Sequence, residues 1–152
     1  MLSPVHARRA RREDTTMPRP PLPPDVAALL ARPNPAVMAT IHPAGHPVTV
    51  ATWYLLEDDG RVLLNLDAER ARLEHLRRDP HVSLTALAEG DWYTHVSVQG
   101  RVVEIRDDVD LVDIDRLSDR YGGRPYPVRD RARVSVLVEI DHWHGWGAAR
   151  SS

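Results

Sequence analysis

The stretch Glu69-Arg70-Ala71-Arg72-Leu73-Glu74-His75-Leu76-Arg77-Arg78-Asp79-Pro80 completes a helix that the sequence opens at Asp67. Asp67 has the chemistry of an N-cap, and Leu73 and Leu76 supply the apolar side. Asp79-Pro80 ends the helix, because the residue before proline avoids the helical region. Arg70 lies in its first turn, and Arg72, two residues on and on a different face, is long enough to converge on the helix start. A cation there opposes the helix dipole, which makes sense where the helix start receives an anion such as phosphate. Arg70 and Glu74 are also four residues apart and can pair as part of a solvated face. Spacing alone favours that plainer pairing.

Outward from this helix the pattern is mostly strand. On the N-terminal side, Asp25 can cap a short helix reaching about Arg32. Ala36–His42 is an apolar strand and Pro43–His46 a turn. Val48–Leu56 is a second strand, and Glu57-Asp58-Asp59-Gly60 is a hairpin signal before a third strand, Arg61–Leu66. Three strands joined by tight turns imply an antiparallel meander. On the C-terminal side, His81–Leu87 and Tyr93–Ile105 are strands around a Glu89-Gly90-Asp91 turn, with Gly100 marking a bulge or bend. Val109–Tyr121 is a helix stopped by Gly122-Gly123. An arginine- and proline-rich loop, 124–131, precedes a sixth strand at Ala132–Ile140, and His142–Gly147 closes the chain. The fold class is mainly β with short helices (α+β), a six-stranded antiparallel split β-barrel.

Composition narrows the chemistry. The 152 residues amount to one ordinary domain, with 42% hydrophobic residues to build a core. All 20 basic residues are arginine, and there is no cysteine. Thiol nucleophiles, cysteine metal sites and lysine Schiff bases are therefore excluded. A net charge of −2 leaves no electrostatic footprint for nucleic acid or an anionic membrane. No apolar run is long enough to span a membrane and no signal peptide is legible, so a cytoplasmic location is expected. Residues 1–24 have almost nothing to bury and read as a disordered extension, 25–148 as the folded domain and 149–152 as a tail. Met17 is an alternative start to Met1. Arg8, Arg9, Arg11 and Arg12 are too few to make a nucleic-acid arm.

Several other residues have ordinary readings. His142 and His144 share a strand face but lack a third ligand, so no metal is expected. His42 and His46 flank a turn and read as surface residues. Asp113, Asp115 and Asp119 read as the solvated face of a helix, and Trp143 and Trp146 as core or dimer-interface residues.

The order of these pieces resembles the pyridoxamine 5′-phosphate oxidase-like split β-barrel superfamily, in particular its F420-dependent branch, the deazaflavin-dependent oxidoreductases of FDOR-B type. The resemblance is carried by the helix stretch quoted above, Ala39–Pro47, Val50-Ala51-Thr52-Trp53-Tyr54, Val98–Ile105, Tyr121-Gly122-Gly123 and Gly145-Trp146-Gly147. It implies a homodimeric oxidoreductase that passes a hydride from reduced coenzyme F420 to a small electron-poor acceptor, with the cofactor at the dimer interface. It further implies that Arg70, Ala71 and Arg72 meet the cofactor phosphate. Val50, Ala51, Thr52 and Trp53 would then lie along its tricyclic ring, with Trp92, Tyr93 and Tyr126 as candidates for aromatic residues from the partner chain. Relatives often carry lysine at the position of Arg72. An FMN-binding flavoprotein of the same fold and a non-catalytic F420 carrier are the alternatives. The natural substrate and the catalytic residues are not legible.

Overall fold

The computed structural model describes residues 17–149. Seven strands form one antiparallel sheet: β1 (Ala36–Ile41), β2 (Pro47–Thr52), β3 (Leu55–Leu56), β4 (Val62–Asp67), β5 (His81–Ala88), β6 (Asp91–Asp107) and β7 (Arg133–Trp146). The helices are α1 (Pro24–Leu30), α2 (Ala71–Arg78) and α3 (Val112–Gly122). The spatial order is β2-β1-β5-β6-β7-β4-β3. Among the described residues, no helix is long and apolar enough to cross a membrane.

The split-barrel class holds, with two corrections inside it. The expected second strand is broken after Thr52 into β2 and β3, which makes seven strands. The expected meander is absent. β2 pairs with β1 and β3 with β4, but β2 and β3 lie at opposite edges of the sheet. In a flat sheet, six spacings of about 4.8 Å would separate those edges by on the order of 29 Å. Trp53-Tyr54 must bridge them, and Thr52 to Leu55 is three Cα steps, at most roughly 11 Å. The sheet therefore has to curl until its edges approach.

The long strands β6 and β7 carry that curvature. Their register shifts at Gln99/Gly100 and at Val102/Glu104. Gly100 is required at the first shift, because a Cβ there would stand 2.1 Å from the Glu139 carbonyl oxygen. The inward faces of the strands form a single hydrophobic core with α1 and α2, including Leu30, Met38, Tyr54, Leu64, Leu73, Val96 and Val136. All of β4 is buried. Val62, Leu64 and Leu66 feed the core, while Leu63 and Asn65 face the other way, toward the side on which α3 packs against β7.

Tyr54 is fully buried. Its hydroxyl donates to the Arg32 carbonyl at 3.1 Å and accepts from Asn34 Nδ2 at 3.1 Å. The second amide hydrogen of Asn34 goes to the Leu29 carbonyl at 2.6 Å. The bridge between the sheet edges is thus pinned to the end of α1. That helix begins at Pro24 with no side-chain cap, so the expected capping by Asp25 is not made.

Residues 1–16 of the expected disordered extension, including the arginines from Arg8 to Arg12, lie outside the described residues, as do 150–152. Residues 17–24 lie against the barrel. Trp143 N–H donates to the Pro18 carbonyl at 3.0 Å, His142 Nδ1 bonds the Met17 carbonyl at 3.1 Å, and Leu22 packs on the core. Leu22 is the apolar part of that docking. The segment's backbone carbonyls satisfy donors at the far end of β7.

Two outcomes follow for stability. Tyr54→Phe strands the buried Asn34 amide and should cost about 1–3 kcal/mol, read as a lower urea midpoint. Burial raises the Tyr54 phenol to about 12, and burial raises Tyr121 in the same direction. A raised folded pKa means stability that is complete below pH ~10 and lost as pH climbs through 12. Tyr54→Phe should blunt that alkaline loss. Separately, a chain starting at Asp25 should melt several degrees below one starting at Met17, since it lacks the Met17, Pro18 and Leu22 contacts. Equal melting temperatures would show those contacts to be idle.

Candidate functional site

Two features near the Asp67 end of β4 hold the residues singled out from the sequence. The first is a cavity of about 890 Å³ between the β1–β2 edge, α3 and the 124–131 loop. Trp53 lines it and stacks on Tyr121, with ring centroids 5.4 Å apart and planes within 10°. Tyr126 meets Trp53 edge-on at 6.4 Å. The Arg133 guanidinium sits 4.9 Å from the Tyr126 ring centroid. Arg133 is aimed by Asn65, whose side-chain oxygen accepts from Nε at 2.6 Å.

This arrangement is held from behind by a buried polar network. Asn65 Nδ2 donates to Asp108 at 2.9 Å and to Ser135 Oγ at 3.2 Å. Ser135 Oγ donates to Asp113 at 2.7 Å. Asp108 also accepts the N–H groups of Asp113 and Ile114, both at 2.9 Å, and so caps α3 from outside the helix. Asp113 is therefore no part of a solvated face. Burial pushes its carboxyl up, but bonds from Ser135, Arg116 and Arg106 outweigh this and hold it below the usual range. Asp115 accepts the Tyr126 N–H at 2.9 Å and pairs with Arg129, which fixes the loop carrying Tyr126.

The second feature is the start of α2. Asp67 is not its N-cap. Asp67 ends β4, and its carboxylate is engaged by the Glu69 N–H at 3.0 Å and by Arg131. Arg70 stays extended, with φ −72° and ψ 136°, and becomes the cap position. No side chain caps the helix; the Leu73 N–H bonds the Arg70 carbonyl at 3.0 Å, and the Ala71 and Arg72 N–H groups have no partner among the described residues. Arg72 is half-buried and its buried Nε has no partner. Burial first, and then the neighbouring Arg70 charge, lower its pKa. Among the described residues neither arginine forms an ion pair, and the expected Arg70–Glu74 pair is not made. Glu74 pairs instead with Arg77 at 2.8 Å. By contrast Arg61, Arg101, Arg106, Arg116, Arg129 and Arg131 all meet carboxylates.

Three of the four expected ring-facing residues reach the cavity, because the strand ends at Thr52 and the chain turns there. Ala51, Thr52 and Trp53 line the cavity. Val50 faces inward and packs on the core opposite Met38. The Thr52 hydroxyl donates to the Trp53 carbonyl at 3.0 Å. Arg70, Ala71 and Arg72 do not line this cavity. Tyr126 does, whereas Trp92 and Tyr93 stack on each other, exposed, on β6. Trp143 is buried in the core and Trp146 is exposed. No group of three metal-ligating side chains occurs among the described residues. His42 stacks on His46 and lies edge-on to His75, a buried α2 residue that bonds Thr40 Oγ1 at 3.0 Å. Sequence reasoning missed His75, Asn65, Asp108 and Arg133. Each is a single polar residue within an apolar or charged run, and only tertiary pairing gives it a role.

Comparison with known proteins agrees with this architecture. A solved structure named an F420 reductase superposes with a TM-score of 0.73 at 25% identity, covering 81% of this chain and 98% of that one. The conserved hypothetical protein Rv2991 of Mycobacterium tuberculosis aligns at 24% identity and TM-score 0.62, over 85% of this chain and 91% of its own. General Stress Protein 26 of Bacillus anthracis shares the fold at 14% identity and TM-score 0.59, over 80% and 91%. Comparison with curated proteins gives no match. The sequence profile of pyridoxamine 5′-phosphate oxidase matches residues 22–147, which is most of the folded chain, so the chain belongs to the pyridoxamine 5′-phosphate oxidase family.

Proposed function

We propose that this protein is a cytoplasmic homodimeric oxidoreductase that binds reduced coenzyme F420 and serves hydride transfer to a small electron-poor organic acceptor. One observation carries the reading. Arg70 and Arg72 stand side by side at an uncapped helix start without a carboxylate, and a buried nitrogen of Arg72 has no partner. Two adjacent cations, one of them partly desolvated, are costly unless an anion joins them. A phosphate suits both the guanidiniums and the free N–H groups of the helix.

The residues fit the cofactor on this count, and Ala51 to Trp53 supply a flat, partly apolar wall for a tricyclic ring. When bound, the reduced deazaflavin supplies the hydride. The protein's own residues bind the phosphate, orient the ring and exclude water. The structure named an F420 reductase, at 25% identity, supports the choice of cofactor. The dimer reading draws on the outer face of β1 and β2, where Val37 is 40% exposed and Ala51 lies opposite it. A second copy covering that face would bury it and enclose the cofactor. FMN also has a phosphate and a tricyclic ring, and the family's oxidase profile keeps it as the second reading.

The first test is binding to the pure protein. F420 fluorescence should be quenched on titration, FMN fluorescence should not, and the protein should elute as a dimer at micromolar concentration. FMN quenching alone would move the assignment to a flavoprotein. F420 binding without turnover across an acceptor panel would make it a carrier.

The second test is mutational. Each charge-assisted contact contributes roughly 1.5–3 kcal/mol, so Arg70→Ala and Arg72→Ala should each weaken F420 binding by about ten- to a hundredfold. Added salt should weaken it as well. Arg72→Ala should not lower the melting temperature, since it removes an unpaired, half-buried charge. Arg77→Ala is the control, because its charge is spent on Glu74 at the surface. Unchanged affinity in both variants, or an equal loss in Arg77→Ala, would place the anion elsewhere.

A further inference from the structure

We infer that the cavity walled by Trp53, Tyr121 and Tyr126 is a binding site for a flat conjugated carboxylate, with Arg133 taking the acid group. The walls are aromatic, and Trp53, 38% exposed, still presents ring surface to the cavity. Flat ligands stack on such surfaces with a specific gain beyond area burial. The polar element is a single half-buried cation. Arg133 uses Nε on the Asn65 side chain and Nη2 on the Asn65 carbonyl, which leaves Nη1 without an acceptor among the described residues. It has no direct carboxylate partner there either. Its guanidinium carbon lies over the Tyr126 ring, and Asn65 is locked in turn by Asp108 and Ser135. The charge is therefore preorganised, with one edge free for a carboxylate oxygen.

Glu89 is the one carboxylate in the lining and sits exposed on the turn after β5. Water screens an exposed charge far more than a half-buried, oriented one, so the cavity favours an anion. The volume of about 890 Å³ leaves room for a bicyclic or larger ligand. Arg70 and Arg72 do not line this cavity, so its cation is separate from the proposed phosphate site, while the ring proposed against Ala51–Trp53 would share the cavity with the acid, which a volume of about 890 Å³ allows. That such an acid is the hydride acceptor rests on the cofactor reading above, whereas its binding does not.

Calorimetric titration of the full-length protein with trans-cinnamate and with trans-cinnamamide tests this without turnover. The two probes share shape and stacking surface and differ only in charge. The acid should bind at least tenfold more tightly. Trp53→Leu should weaken both probes, Arg133→Gln should bring their affinities level, and Arg133→Lys should keep part of the preference. Because Arg133 belongs to a buried network, melting curves of both Arg133 variants accompany the titrations, and the wild-type comparison stands whether or not they fold. Equal wild-type affinities, or a preference that survives Arg133→Gln, would overturn the assignment. F420 titrated into the cinnamate complex separates the two proposals. Simultaneous binding supports both, and displacement of cinnamate by F420 gives the cavity to the cofactor and overturns this inference. An absence of F420 binding with the acid preference intact sinks the cofactor reading alone.

Discussion

Two residues of backbone decide the shape of this protein. Trp53-Tyr54 joins strands that occupy the opposite edges of a seven-stranded sheet. So short a bridge permits no flat or gently twisted sheet, and curvature is forced on β6 and β7 at their register shifts. Gly100 records that constraint, because the backbones of β6 and β7 come too close there for any side chain. The bridge also divides its two side chains. Tyr54 turns into the core and fastens to the end of α1, while Trp53 turns outward into the cavity. The pin that draws the sheet edges together and the wall of the candidate site are consecutive residues, so the curl of the sheet and the site geometry cannot vary independently.

Charge is handled differently in the two halves of the site. Around α3 almost every charge is matched. Asp108 serves helix N–H groups and Asn65, Asp113 serves Ser135 and two arginines, and Arg133 is aimed through Asn65. Such a network is costly when partly satisfied and orienting when complete. At the start of α2 the opposite holds, with two guanidiniums adjacent and unmatched. Local packing does not explain that, because a carboxylate one turn away, Glu74, is committed to Arg77. An all-arginine chain adds to the contrast. Guanidinium forks reward two-point partners, so an arginine left without one is more conspicuous than a lysine would be.

Strand and helix positions were legible because residue composition, helical spacing and turn residues are local signals. Six of the seven strands fall where the pattern puts them, and Gly100 was readable as an irregularity. Pairing was not legible. Val48–Leu56 is a run of β-branched, aromatic and aliphatic residues with no turn signal inside it, and nothing in such a run says that its halves join opposite edges. Asp67 had the right chemistry for a cap, but its carboxylate went to the Glu69 N–H in the turn leaving β4, and the helix began later. Asp113 looked solvated because helical spacing gives a face, not what covers it. The docked 17–24 segment escaped notice because, Leu22 aside, its contacts are made by backbone carbonyls, which carry no sequence signature. At the site, the resemblance named Arg70, Arg72 and the Ala51–Trp53 strand. Tyr121, Asn65 and Arg133 come from three distant segments and meet only in the folded sheet with α3 packed on it.

The two halves of the site share one reference, which is β1. It pairs with β2 along its whole length, so the wall at Ala51 and Thr52 is set by Val37 and Ala36 opposite. α2 packs on β1 as well, through buried Leu73 and Leu76 and through His75 bonded to Thr40. Thr40 itself stands opposite Val48 on β2. Helix α2 is only eight residues long and would not hold a direction alone. Its buried face and the His75–Thr40 bond give it one, and that direction fixes where Arg70 and Arg72 start relative to β2. A ligand that spans a phosphate and a planar ring needs such a fixed separation between anion site and wall. Both ends here are set by the same strand, rather than by the loops that carry Tyr126 and Glu89.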